Sequence, residues 1–245
     1  MNFFVQARRE FTAFFYSPMA YIIATFYLLF TGFTFWILLK NEANANAMRS
    51  LLSFLGFIHV IFIPMVTMRL LAEERKSGTL EMLVTAPISD VEIALAKFFG
   101  ALSFTVLMMA PTLLYTWAVH KVGGHPDHGL TGASYTGLLL ISAAYVSIGL
   151  FISSLTANQI VAAILTFVVL FTFYFLLGFV AGSAAALPFN EKVDWPAVVN
   201  YVHFGSRLQA FGKGIVDTRD VVYFLSVVAL GLFLTVKSLE SRRWR

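Results

Sequence analysis

The sequence has no cysteine and few charged residues. Its 245 residues include 17 Lys and Arg and 13 Asp and Glu, so that charged residues make up 12% of the chain, against about 25% in an ordinary soluble domain. The missing cysteines exclude disulfide bonds, thiolate metal sites and a cysteine nucleophile. Hydrophobic residues account for 59% of the chain and aromatic residues for 16%. This composition predicts a membrane protein.

Six long stretches contain no Asp, Glu, Lys or Arg. A charge at the centre of a bilayer costs about 2.5–3.5 kcal/mol or more, and about 20 helical residues cross the hydrocarbon core. Strands of alternating apolar and polar residues are absent, which leaves helices as the structures that satisfy their backbone in lipid. We therefore predict an all-α, polytopic membrane protein, a single transmembrane domain over residues 1–245, with spans within residues 20–39, 51–68, 98–119, 134–155, 159–182 and 221–236.

Lysine and arginine are unequally divided between the two ends of this predicted bundle. Ten of them fall on the side that holds residues 1–19, the loop 69–97 and the carboxyl terminus, and seven fall on the other side. Four of the seven lie in one long segment, 183–220, so the shorter segments carry ten and three. Because positively charged loops stay in the cytoplasm, we predict that both termini lie in the cytoplasm.

The sequence lacks the motifs of a hydrolytic enzyme. The nearest likeness to a phosphate-binding loop is Gly212-Lys213-Gly214, but Arg207 stands where that loop needs its first glycine. The motifs His-Glu-x-x-His and Gly-x-Ser-x-Gly are absent, and no carboxylate pair lies in the spans. We predict no catalytic residue, no metal and no cofactor. A role for His120, His125 and His128 is left open.

The energy source for any transport must also lie outside this chain. Ion-coupled carriers place charged side chains within their spans to bind protons or ions, and the six predicted spans have none. His59 is the one histidine well inside a span, where a hydrogen-bonded packing role is favoured over a proton relay. A partner chain is therefore expected to supply the driving force.

The loop 69–97 is the longest segment on the predicted cytoplasmic side. Ser77 and Gly78 break the helix that leaves the second span, and Ser89 caps the helix that enters the third. Between them, the residues from Thr79 to the helix-stopping Pro87 predict a short surface helix with exposed apolar and acidic side chains. A helix lying among lipid headgroups is the alternative, but anionic headgroups would repel its acidic residues.

The sequence from Glu73 to Leu83, EERKSGTLEML, resembles the signature region of type-2 ABC transporter permeases. Residues 17–18, 63–69, 158–162 and 203–226 are similar to the permeases of gliding-motility-associated ABC transporters, so the resemblance covers nearly the whole chain.

The resemblance implies that the helix after Gly78 is a coupling helix that seats in a separate ATPase subunit. It implies a dimer of ATPase subunits and a second permease-like subunit, which carries an extracytoplasmic domain or is a second copy of this chain. The coupling residues that it implies are Glu73, Glu74, Arg75, Lys76, Thr79, Leu80, Glu81, Met82 and Leu83.

An amphipathic helix is predicted at the start of the chain, within residues 1–19. Helical spacing places several apolar residues on one face, with two arginines at its edge, which suits a helix at the inner membrane surface. The resemblance implies a contact with the ATPase, and a simple basic flank is equally compatible with the pattern. The apolar residues are Phe4, Ala7, Phe11, Phe14 and Phe15.

Residues 183–220 predict a helix on the outer face before the last span. Asp194 can cap this helix, and Gly212 and Gly214 can provide a hinge after it. Its apolar stripe needs cover, either from the outer leaflet or from the bundle and a partner subunit, where it would act as a gate or docking element. The residues of that predicted gate or docking face are Trp195, Val199, Val202, Leu208 and Phe211.

These observations predict the transmembrane subunit of an ATP-driven exporter that works as half of a twelve-helix pair. Closure of two ATPase subunits would move the coupling helix and tilt the spans. The alternative is a membrane scaffold that signals to extracytoplasmic partners without moving cargo. The sequence does not reveal the cargo, because phenylalanines that face lipid explain the aromatic content as well as a lipid-like cargo does.

Overall fold

A computed structural model describes residues 3–41, 45–79, 89–121, 127–184 and 195–243. All regular elements within these residues are helical. A 3-10 turn (Ala110–Thr112) joins α5 to α6, and a π-helical turn (Thr172–Leu176) joins α8 to α9. The helices are α1 (Phe3–Phe15), α2 (Pro18–Asn41), α3 (Ala45–Thr67), α4 (Ala72–Ser77), α5 (Asp90–Met109), α6 (Leu113–Lys121), α7 (His128–Leu155), α8 (Gln159–Phe171), α9 (Leu177–Ala184), α10 (Trp195–Val202), α11 (Phe204–Phe211) and α12 (Thr218–Arg243).

Six helical segments are long and apolar enough to cross a membrane, which confirms the predicted all-α polytopic fold. They are Pro18–Lys40, Arg49–Ser77, Asp90–Lys121, His128–Leu155, Gln159–Val180 and Thr218–Ser241. We call the end of the bundle that carries residues 3–17, 69–79, 155–159 and 237–243 the proximal end, and the opposite end the distal end.

Helix α7 lies at the centre of the bundle, where it contacts α3, α5, α8, α11 and α12. The second, third and fourth spans are 67%, 61% and 67% buried, and α7 forms the fourth. The first, fifth and sixth spans are 22%, 17% and 17% buried. Three spans therefore form a protein core, and the other three present most of their surface outward. The side chains of Ser89, Asp127 and Asn158 cap the first turns of α5, α7 and α8, respectively.

Small residues let α7 approach its neighbours closely. A Cβ atom on Gly149 would lie 2.2 Å from Thr67 Oγ1 of α3, and one on Gly231 of α12 would lie 2.7 Å from Ser147 Oγ. Lipid supplies no hydrophobic force between helices, so close van der Waals contact of this kind is a main source of stability in a membrane bundle.

A hydrogen-bonded cluster of buried polar side chains joins α2, α3 and α7 inside the core. His59 is fully buried, its Nε2 atom lies 3.1 Å from the Tyr27 hydroxyl, and its Nδ1 atom lies 3.2 Å from Ser142 Oγ. Both ring nitrogens therefore have partners, which is the environment of a packing histidine. Pro64 lies within α3, whereas Pro111 lies in the 3-10 turn that interrupts the third span.

Candidate functional sites at the two ends of the bundle

At the proximal end, one serine of α7 holds the start of α4. Ser153 Oγ accepts hydrogen bonds from the backbone N–H groups of Leu71 and Ala72, both at 3.1 Å, and donates to the carbonyl of Met68 at 3.1 Å. The first backbone donors of a helix lack partners within it. Ser153 supplies the missing acceptor and thereby attaches α4 to the fourth span.

The same end of α7 is also bound by an arginine of α4. The Arg75 guanidinium donates to the carbonyl oxygen of Leu155 at 2.5 Å and to that of Ser154 at 3.4 Å. These carbonyls belong to the last turn of α7, where a positive charge also complements the helix dipole. Helix α4 is therefore held to the fourth span at two points.

A buried lysine connects three elements beside α4. Lys97 of α5 is 2% exposed, and its Nζ atom lies 2.7 Å from Glu74 Oε1 and 3.3 Å from Glu10 Oε2. Glu74 belongs to α4 and Glu10 to α1. Because a lysine is almost never fully buried unless it is paired, these two carboxylates account for its position. We call Glu10, Glu74 and Lys97 the proximal ion cluster.

Helix α1 packs on α5, and the contact contains polar as well as apolar side chains. Phe14 is 3% exposed and stacks on Phe104 with ring centroids 4.7 Å apart, but Phe15 is 38% exposed. Gln6 and Glu10 precede Phe14 by two turns and by one turn of α1, so they lie on the same face of the helix. Gln6 is buried and Glu10 is partly buried. Glu10 can lie in this contact because Lys97 gives it a partner there, and the location of α1 at the membrane surface stays a prediction.

The proximal ion cluster borders an open cleft of about 510 Å³. Arg69 also lines it, donates to Ser17 Oγ and places its guanidinium 4.7 Å from the centre of the Phe14 ring. The exposed residues Glu73, Ser77 and Thr79 form the open side. The cleft is lined by Glu10, Ala13, Phe14, Tyr16, Ser17, Arg69, Leu70, Glu73, Glu74, Ser77, Thr79 and Lys97.

The structure separates the predicted coupling residues into two groups. Glu73, Lys76 and Thr79 are exposed, whereas Glu74 and Arg75 are turned toward the bundle. The predicted helix break is confirmed, because Gly78 ends α4 with a φ angle of 73°, a conformation that side chains with a Cβ rarely adopt. Leu80, Glu81, Met82 and Leu83 lie outside the described residues.

Sequence reasoning missed Glu10, Lys97 and Ser153. The capping box of Ser89 and Glu92 starts α5 at Asp90, so Lys97 lies two turns inside a helix and not in a loop. That capping pattern was visible in the sequence and could have placed Lys97 within the helix, although it gives no sign that the side chain is buried. Glu10 is 87 residues from its partner Lys97, and Ser153 is 82 and 81 residues from its partners Leu71 and Ala72. No local pattern in the sequence identifies these contacts.

Between Trp195 and Phe211, the part of the distal segment for which one helix was predicted, the described chain forms two helices. Helix α10 ends at Val202, and His203 caps the start of α11. The His203 Nδ1 atom accepts from the Ser206 N–H at 3.1 Å, and Nε2 lies 2.5 Å from the Tyr174 carbonyl oxygen. His203 therefore explains the break between α10 and α11, because its ring both caps α11 and contacts the π-helical turn of the fifth span.

Helix α11 is inserted among the spans. Leu208 and Phe211 are 6% and 0% exposed. Cβ atoms on Gly56 and Gly137 would lie 2.3 Å from Leu208 and 2.6 Å from Phe211, so these glycines provide the space that the two side chains occupy. Arg207 adds an ion pair, with its Nη1 atom 2.5 Å from Asp220 Oδ1 of α12.

The predicted gate or docking residues are thus divided between the core and the surface. Leu208 and Phe211 are buried and Val199 and Val202 are half-buried, while the side chain of Trp195 lies outside what the structure describes. Gly214 has a φ angle of 80°, a backbone conformation that favours glycine, and the hinge at Gly212 and Gly214 stays a prediction.

We expect His203→Ala to destabilise the distal end by about 1–2 kcal/mol, because it removes a helix cap and the hydrogen bond to Tyr174. His203→Asn should lose about half as much, since an asparagine oxygen still caps α11 but does not reach the fifth span. Thermal unfolding in detergent measures this order of stability among the variants. The exposed His120→Ala is the control, and equal stability of all three variants would contradict the assignment.

A model of the ABC-2 family of transporter proteins matches residues 37–202, which is more than half of the chain. The chain therefore belongs to the ABC-2 family, whose members are the transmembrane subunits of ABC transporters. Among curated relatives, the inner membrane transport permease YhhJ of Escherichia coli (strain K12) and that of Shigella flexneri are each 29% identical over 180 residues. The match covers 71% of this chain and 46% of the relative, so the chain spans about half the length of these proteins.

Proposed function

We propose that this chain is the permease subunit of an ATP-driven ABC exporter in a bacterial inner membrane, with its proximal end in the cytoplasm. Family membership supports the permease role, and the excess of lysine and arginine at the proximal end supports the orientation. The whole described chain acts as one permease domain in this proposal. The proposal also includes the likeness of residues 203–226 to the permeases of gliding-motility-associated transporters.

The attachment of α4 to the core is the observation that carries the proposal. Ser153 and Arg75 bind α4 to the fourth span, and Lys97 binds it to the third. A force applied to the exposed side of α4 would therefore reach two spans of the buried core directly. An ATPase dimer that binds Glu73, Lys76, Thr79 and the adjoining residues 80–83 would supply that force as it closes on ATP.

A second subunit has a surface available within the membrane. An apolar groove of about 570 Å³ runs between α2, α3 and α8, and the spans that contain α2 and α8 are only 22% and 17% buried. We propose that a second permease subunit packs here to complete a twelve-helix core. The groove is lined by Met19, Ile22, Ile23, Phe26, Phe30, Ile58, Ile61, Phe62, Met65, Met68, Ile160, Ala163 and Ile164.

A scaffold that signals to extracytoplasmic partners is the second candidate, and it uses the same attachment of α4. No feature of the described residues favours it over transport. A cargo-dependent change in the ATPase rate of the purified complex separates the two, because a scaffold has no cargo to bind.

The coupling proposal is tested at Glu73, the exposed acid of α4. Glu73→Arg should reduce the amount of ATPase subunit that copurifies with the permease by about tenfold, which corresponds to about 1.4 kcal/mol and lies below the 2–5 kcal/mol of a desolvated charged contact. Membrane insertion should be unchanged, since Glu73 is exposed.

Glu240→Arg is the matched control, because Glu240 lies at the same end of the bundle and pairs with Lys237 of its own helix at 2.7 Å. Equal recovery of the ATPase with both variants would contradict a docking role for α4. Failure of any ATPase subunit to copurify with the wild-type chain would contradict the proposed function itself.

A further inference from the structure

We propose that Lys97 is a positioning residue that makes α1, α4 and the third span move as one unit when the ATPase acts. The inference rests on the proposed function and extends it to residues that do not contact the ATPase in the proposal. Three observations support it: Lys97 is buried, its two partners belong to two different helices, and α1 approaches α5 closely.

The first observation is that the charge of Lys97 is withdrawn from water. The side chain is 2% exposed, while the side chains of its partners Glu10 and Glu74 are 14% and 25% exposed. Charge-assisted contacts of this kind are stronger than those at the surface, where salt and water screen them. The cluster can therefore transmit a displacement that a surface pair would not.

The second observation is that each partner comes from a different element. Glu74 lies one residue after the exposed Glu73, so adjacent residues of α4 face the cleft and the core. Glu10 comes from α1, which is separated from α4 along the chain by α2 and α3. Lys97 is thus the shared contact of two segments that are otherwise far apart in sequence.

The third observation explains why α1 is close enough for this contact. A Cβ atom on Gly100 would lie 2.9 Å from Glu10 Cβ, so the glycine allows the two helices to touch. Gly100 is one helical turn after Lys97, which places Glu10 beside both residues. The sequence therefore provides both the space and the charge at the same point of α5.

Loss of the lysine charge should produce repulsion as well as the loss of two contacts. Glu10 and Glu74 are both within 3.3 Å of Lys97 Nζ, so an uncharged residue at position 97 leaves two carboxylates facing each other. Helices α1 and α4 should then separate, and movement of α4 should no longer carry α1 and the third span with it.

The test uses the full permease in complex with its ATPase subunit. Spin labels on cysteines introduced at Ala13 of α1 and Ser77 of α4 report the distance between the two helices, and the absence of native cysteine keeps the labelling specific. Both positions are exposed and line the cleft. Wild type should give one narrow distance distribution that is the same with and without trapped nucleotide.

Lys97→Met should retain the ATPase subunit, broaden the distance distribution and make it depend on nucleotide. It should also reduce stimulation of the ATPase rate by the permease at least about fivefold, the lower end of common coupling effects. Lys97→Arg keeps the charge and should restore both readouts. Lys237→Met, which removes an exposed lysine paired with Glu240 at the same end, should change neither.

An unchanged distance distribution and full stimulation in Lys97→Met would overturn the inference while leaving the proposed function intact. If Lys97→Met does not accumulate in the membrane, Glu10→Gln decides, because it removes one of the two ion pairs. A narrow distribution in Glu10→Gln, equal to that of wild type in both nucleotide states, would also overturn the inference. Absence of an ATPase subunit from the wild-type preparation would instead count against the proposed function.

Discussion

Gly149→Val should abolish most of the folded protein. The first atom of any added side chain would lie 2.2 Å from Thr67 Oγ1 and 2.7 Å from Thr67 Cβ, so α3 and α7 would have to separate at the centre of the core. We expect a loss of about 3 kcal/mol or more, at the upper end of overpacking effects. Thermal unfolding in detergent, followed by size-exclusion chromatography, measures the loss.

Gly132→Ala is the matched control, because Gly132 lies in the same helix and an added Cβ there meets no atom within 4 Å. It should be neutral or stabilise the protein by about 0.5–1 kcal/mol through helix propensity. Gly149→Ala combined with Thr67→Ala should recover part of the loss of Gly149→Ala alone. Equal stability of Gly149→Val and Gly132→Ala would show that α3 and α7 are not in close contact there.

Ala163→Trp should prevent assembly of the paired permease. Ala163 of α8 lines the apolar groove between α2, α3 and α8, and an indole ring would fill part of the space that the second subunit needs. We expect about a tenfold or greater loss of paired complex, equivalent to at least about 1.4 kcal/mol. The measurement is the ratio of monomeric to paired permease after mild solubilisation, by native mass spectrometry.

Ala229→Trp makes the same change on the exposed side of α12, away from the groove residues, and should leave the pair intact. The two variants differ in position and not in chemistry, so the comparison isolates the groove from any general effect of tryptophan in the membrane. Loss of pairing in both variants, or in neither, would contradict the proposal that a second subunit occupies the groove.

The local features of the fold were predictable because they depend on neighbouring residues. The six spans follow from charge-free runs of about 20 residues, and the break at Gly78 follows from a positive φ angle that glycine readily adopts. The cap at Ser89 depends on Glu92, three residues later. Each of these features lies within a few turns of sequence.

The distal segment shows where this reasoning failed. The apolar spacing from Trp195 to Phe211 indicated one helix whose apolar stripe needs cover, from lipid or from protein. The chain instead bends at His203, because that side chain bonds the carbonyl of Tyr174, which lies 29 residues earlier. The helix α11 then buries Leu208 and Phe211 against glycines of two different spans. A pattern of apolar residues predicts that a face will be covered, but it does not identify what covers it.

The sequence by itself determined the class of fold, the number of spans and the position of the loop between the second and third, since lipid excludes charge from long helical runs. Only the tertiary structure decided which charged residues of that loop face outward and which pair inside. Glu73 and Glu74 are identical in chemistry, yet one is exposed and the other binds Lys97 at 2.7 Å. The physical reason is that Lys97 lies 23 residues from Glu74 and 87 residues from Glu10, so a contact among the three helices exists only after they have packed.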